Sequence, residues 1–198
     1  MNDPLFLFDF STTLLELVSF ILSVITVLLN IRQTHWAWLF SIASSATYGV
    51  VFYGARIYGD AALQGVFIAV SVWGWYQWLH GGAQHDALKV TRCGRAAWAA
   101  GLLGWAVGFV VLAWFLQTYT QTDVPRIDGF LTAGSLLGQL LLSRKMLENW
   151  IVWVAVDVLY VGLYVHKGLM LTAVLYGVFV IMALMGWRAW ARIADRRA

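Results

Sequence analysis

Asn149, Trp150, Trp153, Asp157, Tyr160 and Tyr164 recur at the three- and four-residue steps that line one face of a helix. Aromatic faces around a single carboxylate suit a flat cationic ring. Indoles supply stacking and cation–π attraction, and the carboxylate compensates charge. Asp157 is the only charged residue in Trp150–Val165. A carboxylate in so apolar a run must face a cavity or a partner. It therefore reads as a ligand contact or as one half of a structural pair. Trp150, at the edge of the run, equally suits the aromatic belt of a membrane interface.

A second stripe runs through Gln64, Phe67, Ser71, Trp75 and Trp78. The Gln64 amide has two donors and an acceptor, enough to hold a ribose hydroxyl or a carboxamide. It equally suits a hydrogen bond between helices. The candidate binding set is Gln64, Trp75, Asn149, Trp150, Trp153, Asp157 and Tyr160. No catalytic group, cofactor or metal joins it. The chain has no HExxH, no Gly-x-Ser-x-Gly and no phosphate-binding loop. His35, His80, His85 and His166 lie at loops or span ends without ligand spacing. The single Cys93 makes neither a disulfide nor a metal cluster. The expectation is a protein that binds and moves a molecule, not an enzyme.

The elements that must position these side chains are membrane spans. The 198 residues are 61% hydrophobic and 12% charged, about half the charge of a soluble domain. Trp36–Ala55, Ala61–Leu79, Ala96–Gln117 and Leu169–Trp187 carry no charge at all. About 20 apolar residues in a helix cross the hydrocarbon core, and backbone polar groups in lipid must be satisfied within the segment. Seven spans follow, near 12–30, 36–55, 60–79, 96–117, 127–143, 148–165 and 169–190. The fifth has the weakest pattern, because it holds Asp128, Gly129, Gly134, Gly138 and Gln139. Residues 1–11 hold Asp3 and Asp9 and no basic cluster, which argues against a removed signal peptide.

Of the thirteen Lys and Arg residues, only Arg56, Arg126 and Lys167 fall on one side of the membrane, and the other ten fall on the opposite side. The positive-inside rule places those ten in the cytoplasm, with the N-terminus outside and the C-terminus inside. The basic C-terminal end is then a topology signal touching lipid headgroups, and no nucleic-acid partner is expected.

The chain also repeats itself. Shifted by 112 residues, Leu14–His80 lies on Arg126–Arg192 without a gap. Trp38 meets Trp150, Tyr48 meets Tyr160, Gly74-Trp75 meets Gly186-Trp187, and Trp78 meets Trp190. The polar positions do not match: Gln64 meets Tyr176, Asp157 meets Ser45, and Asn149 meets Ala37. The fold class is therefore all-α and integral to the membrane, a 3+1+3 plan. Residues 12–80 form one three-helix bundle and 127–190 the other, in parallel, with 96–117 as the linker helix. Gly101, Gly104 and Gly108 suit that linker to close packing.

Such units joined by one helix are similar to the SWEET sugar-carrier fold. Local sequence goes further. Tyr48-x4-Tyr53, Ile57-Tyr58-x-Asp60-x2-Leu63-Gln64 and Trp73-Gly74-Trp75-Tyr76-x-Trp78 stand in the first half. Arg144-Lys145-x2-Glu148-Asn149-Trp150-x2-Trp153-x3-Asp157, Tyr164-x2-Lys167-Gly168-Leu169 and Gly186-Trp187-x2-Trp190 stand in the second. Over nearly the whole chain these runs resemble the PnuC family of vitamin transporters. The resemblance implies facilitated diffusion of a small cationic vitamin, most often nicotinamide riboside, across a bacterial inner membrane. It implies alternating access by rocking of the two bundles, and a cytoplasmic kinase that traps the substrate. It leaves a homo-oligomer open. Where riboside carriers of the family are expected to have amide side chains, this chain has Ser71 and Asp157. The alternatives are a thiamine carrier of the same family, a SWEET-type sugar carrier and a non-transporting scaffold.

Overall fold

The computed structural model describes residues 5–7, 10–12, 14–54, 58–83, 85–120, 122–166, 168 and 170–196. Seven helices follow one another: α1 (Leu14–Ile31), α2 (Ala37–Gly54), α3 (Tyr58–His80), α4 (Arg95–Tyr119), α5 (Pro125–Ser143), α6 (Asn149–His166) and α7 (Met170–Asp195). A helix lies over each of the seven expected segments. A small antiparallel hairpin of β1 (Leu5–Leu7) and β2 (Phe10–Thr12) precedes them, which the sequence pattern did not announce. Among the described residues, three helices are long and apolar enough to cross a membrane: Arg95–Tyr119, Asn149–His166 and Thr172–Asp195. Phe20–Ile31 and Ala37–Val51 are shorter apolar helices.

The chain forms two compact units, residues 1–72 and 73–198. In the first, α1 packs on α2. Hydroxyls stitch its helices together. Ser23 Oγ and Ser44 Oγ are 2.9 Å apart between α1 and α2, and Ser41 Oγ and Ser71 Oγ are 3.0 Å apart between α2 and α3. Such pairs replace the water that a hydroxyl loses in an apolar surround. Ser71, one of the polar residues on the candidate stripe, is fully buried in doing so.

In the second unit, α5 packs on both α4 and α6, and α6 packs on α7. Glycines set how close they come. A Cβ built on Gly129 would lie 2.6 Å from the Ala113 nitrogen, and one on Gly134 would lie 2.6 Å from the Trp105 ring. Gly101 and Gly108 of α4 face Leu137 and Ala133 at 3.3 and 3.4 Å in the same sense, while a Cβ on Gly104 would meet nothing within 4 Å. Close approach through small residues is how helices gain packing energy in lipid.

This arrangement explains why the fifth span looked weak. Most of α5 from Gly129 onward is buried, whereas Leu116 is the buried residue of α4. The inner helix needs small and polar residues to fit its neighbours. The outer helix, exposed along Leu103, Val107, Val110 and Trp114, needs apolar ones. Hydropathy therefore ranks the two in reverse order of their depth.

The ends of α5 are well satisfied. Pro125 occupies the first turn, where its missing N–H costs nothing. Asp128, also in that turn, accepts a hydrogen bond from the Thr122 hydroxyl, and an acidic group there suits the helix dipole. At the other end the Leu142 carbonyl accepts both the Lys145 N–H at 2.9 Å and the Trp78 indole N–H at 2.9 Å. A carbonyl orphaned by the end of one helix is thus met by a side chain of another.

Beyond α3, the loop that begins at Gly81 is pinned to the α5–α6 turn. Thr91 N donates to the Lys145 carbonyl at 3.1 Å, and Leu147 N donates to the Thr91 carbonyl at 2.9 Å. The Cys93 N–H donates to Glu148 Oε2 at 2.7 Å, and Arg92 Nη2 meets Asp195 Oδ1 at 2.6 Å. The α6 helix ends at His166. Gly168 lies just beyond it with φ +72°, where a side chain would be strained. Lys167 lies outside the described residues.

Candidate functional site

The residues of the helical face lie on α6, and the structure sorts them into two groups. Near its start, Asn149 and Trp150 are buried, at 0% and 2% exposure. The Asn149 side-chain amide donates to the Met146 carbonyl at 2.7 Å, closing the turn before α6, while its Oδ1 has no hydrogen-bond partner among the described residues. Trp150 fits against α7. A Cβ on Gly186 would stand 2.6 Å from three atoms of its indole, and the Trp190 ring meets it edge-on at 5.4 Å. Its indole nitrogen is buried without a hydrogen-bond partner among the described residues. Packing between α6 and α7 accounts for the position of this ring.

Deeper along α6 stand Trp153, Asp157 and Tyr160. Trp153 is half-buried, and its indole lies on Gly138 of α5, where a Cβ would approach to 3.0 Å. Asp157 is 6% exposed. Among the described residues no cation forms an ion pair with it, and no group of His, Cys, Asp or Glu could hold a metal ion. Burial of an unpaired carboxylate is costly. One turn on, Tyr160 shares a side-chain hydrogen bond with Ser135 of α5. Its ring lies 4.6 Å from Tyr176 of α7 and 5.9 Å from Tyr164, and Tyr164 stacks on Tyr176 at 5.2 Å.

Trp153, Asp157 and Tyr160 thus share one stretch of α6, backed by α5 and continued by the tyrosines toward α7. Two further candidates lie on α3. Trp75 is half-buried on α3 in the second unit. Gln64 is half-buried on α3 in the first unit, with its Cβ 3.5 Å from where a Cβ on Gly49 of α2 would stand.

The α5 wall was missed in the sequence. Ser135 and Gln139 are buried one turn apart on it, and Ser135 engages Tyr160. Their i, i+4 spacing within a span was the available signal. The glycines and Asp128 of the same segment lower its hydropathy and hide that spacing. Tyr176 was seen only as the repeat counterpart of Gln64.

Comparison with known proteins bears on this arrangement. A family described as Nicotinamide mononucleotide transporter matches residues 13–192. The riboflavin/roseoflavin transporter RibM of Streptomyces davaonensis is 30% identical, over 96% of this chain and 90% of that protein. The nicotinamide riboside transporter PnuC of Escherichia coli is 23% identical, over 81% of this chain and 77% of that protein. A crystal structure of the vitamin B3 transporter PnuC superimposes with a TM-score of 0.71 at 20% identity, covering 93% of this chain and 83% of that one.

Proposed function

The chain belongs to the PnuC family of membrane transporters, and on that footing we propose that it carries nicotinamide riboside into the cell by facilitated diffusion. One observation carries the substrate: a buried carboxylate, Asp157, with no cation paired to it among the described residues and with aromatic rings one turn away on either side. The pyridinium ring of the riboside brings a permanent positive charge and a flat face. Asp157 compensates the charge, and Trp153 and Tyr160 offer ring faces. The free Asn149 Oδ1 accepts from an amide or hydroxyl donor. Gln64, Trp75 and Trp150 complete the proposed set.

The rest of the reading follows from the sequence. The protein lies in the inner membrane with its N-terminus outside, in a 3+1+3 plan with α4 as linker and with alternating access. A uniporter only equilibrates its substrate, so phosphorylation by a cytoplasmic kinase gives the uptake its direction.

Riboflavin is the second reading, favoured by the 30% identity to RibM along almost the full chain. Its ring system is uncharged. Asp157 would then hold hydroxyls of the side chain rather than a cation. Counterflow in proteoliposomes separates these. Vesicles preloaded with unlabelled nicotinamide riboside, thiamine or riboflavin are offered the labelled form of each. Accumulation of the riboside label alone supports the first reading. Accumulation of riboflavin alone replaces it with the second, and of thiamine alone with another cation.

A further inference from the structure

A groove of about 570 Å³ opens on the outside of the second unit, away from Trp153 and Asp157. Phe109 of α4, Phe130 and Leu131 of α5, and Val158, Leu159 and Gly162 of α6 form its apolar part. Arg126, at the start of α5, and His166, at the end of α6, form its mouth. The two helices are antiparallel neighbours, so both groups sit at one membrane end. From His166 to Val158 the groove follows α6 for about 12 Å.

We propose that this groove holds one acyl chain of an anionic phospholipid, with the lipid phosphate against Arg126. Three features favour that occupant. Gly162 leaves the floor open, since a Cβ there would meet nothing within 4 Å. Phe130, Val158 and Leu159 stay exposed at 37%, 51% and 47%, as a surface facing lipid tails does. Arg126 is exposed and forms no ion pair among the described residues. Asp128, in the same turn, is engaged by the Thr122 hydroxyl, and neither it nor Asp123 is part of the lining. The Arg126 guanidinium gives a phosphate a bidentate donor at the membrane end of the groove. A zwitterionic headgroup offers the same phosphate but sets a choline cation beside the guanidinium, so a net negative headgroup is favoured.

The test uses the full chain in nanodiscs of equal parts phosphatidylcholine and phosphatidylglycerol. After release into mild detergent, native mass spectrometry counts the lipids that stay bound. The wild type is expected to retain phosphatidylglycerol over phosphatidylcholine. Arg126→Gln should reduce the retained phosphatidylglycerol about fivefold, the worth of one basic residue at a membrane surface, and leave phosphatidylcholine unchanged. Gly162→Leu, which fills the floor without a clash, should reduce both lipids while circular dichroism keeps its helical signal. Equal retention of the two lipids by the wild type overturns the proposal, as does phosphatidylglycerol retention unmoved by Arg126→Gln. A lipid-free dimer that Gly162→Leu dissolves would assign the groove to a second copy of the chain and overturn it as well.

Discussion

Trp78 and Trp190, equivalent positions of the 112-residue repeat, meet ring against ring with centroids 6.1 Å apart and planes at 53°. Both are buried. The Lys145 ammonium stands 4.5 Å over the Trp78 ring, and Trp150 meets the other side of the pair through Trp190. Repeat positions that shape each half thus become contact partners in the fold.

Trp78 also satisfies the end of α5 through its indole N–H. Trp78→Phe keeps an aromatic ring but deletes that donor and weakens the cation–π contact. We expect a loss of about 1–2 kcal/mol, read as a lower midpoint of thermal unfolding in detergent. An unchanged midpoint would remove the indole nitrogen from the account.

Gly186 measures how close α6 and α7 must come. Gly186→Leu drives a side chain into the Trp150 indole, which already lies 2.6 Å from a bare Cβ. Destabilisation of about 1–3 kcal/mol is expected. Gly177→Ala, on the same helix with nothing within 4 Å of its Cβ, should be neutral or slightly stabilising. Equal melting of the two variants would argue against the close contact.

Cys93 gives a pH-dependent readout outside the spans. Burial first, and the neighbouring Glu148 charge second, push its thiol pKa up. The thiolate is then scarcer at a given pH than in a free cysteine, so alkylation should set in at higher pH. Glu148→Gln removes the second cause and keeps an acceptor for the Cys93 N–H. Its iodoacetamide rate profile should shift toward lower pH. A profile that does not move would mean that the Glu148 charge does not reach the thiol.

The sequence was most legible where physics is local. Each apolar run became a helix, with ends displaced by at most a few residues except for α7, which continues to Asp195 through the basic Arg188 and Arg192. Depth was less legible, because hydropathy reports what surrounds a helix only when lipid does. Polar, glycine-rich α5 is an inner helix, and apolar α4 an outer one. Contacts distant in sequence were invisible. Nothing local in Thr91 announces its pairing with the α5–α6 turn, and nothing local in Gly186 or Gly138 announces the tryptophans that lie on them. Among the candidate residues, the spacing on α6 identified Trp153, Asp157 and Tyr160 correctly as neighbours along one helix. It could not tell that the Trp150 ring packs against Gly186 and Trp190 of α7.

The central claim is that Asp157 meets a positive charge. The most direct measurement is equilibrium binding of nicotinamide riboside to wild type and Asp157→Asn by calorimetry in detergent, with riboflavin as the uncharged control. The substitution keeps the size and one acceptor oxygen, replaces the other oxygen with an amide donor, and removes the charge. The account expects riboside affinity to fall at least about tenfold, or ~1.4 kcal/mol, with no comparable loss for riboflavin. Riboside affinity equal in the two proteins would contradict it.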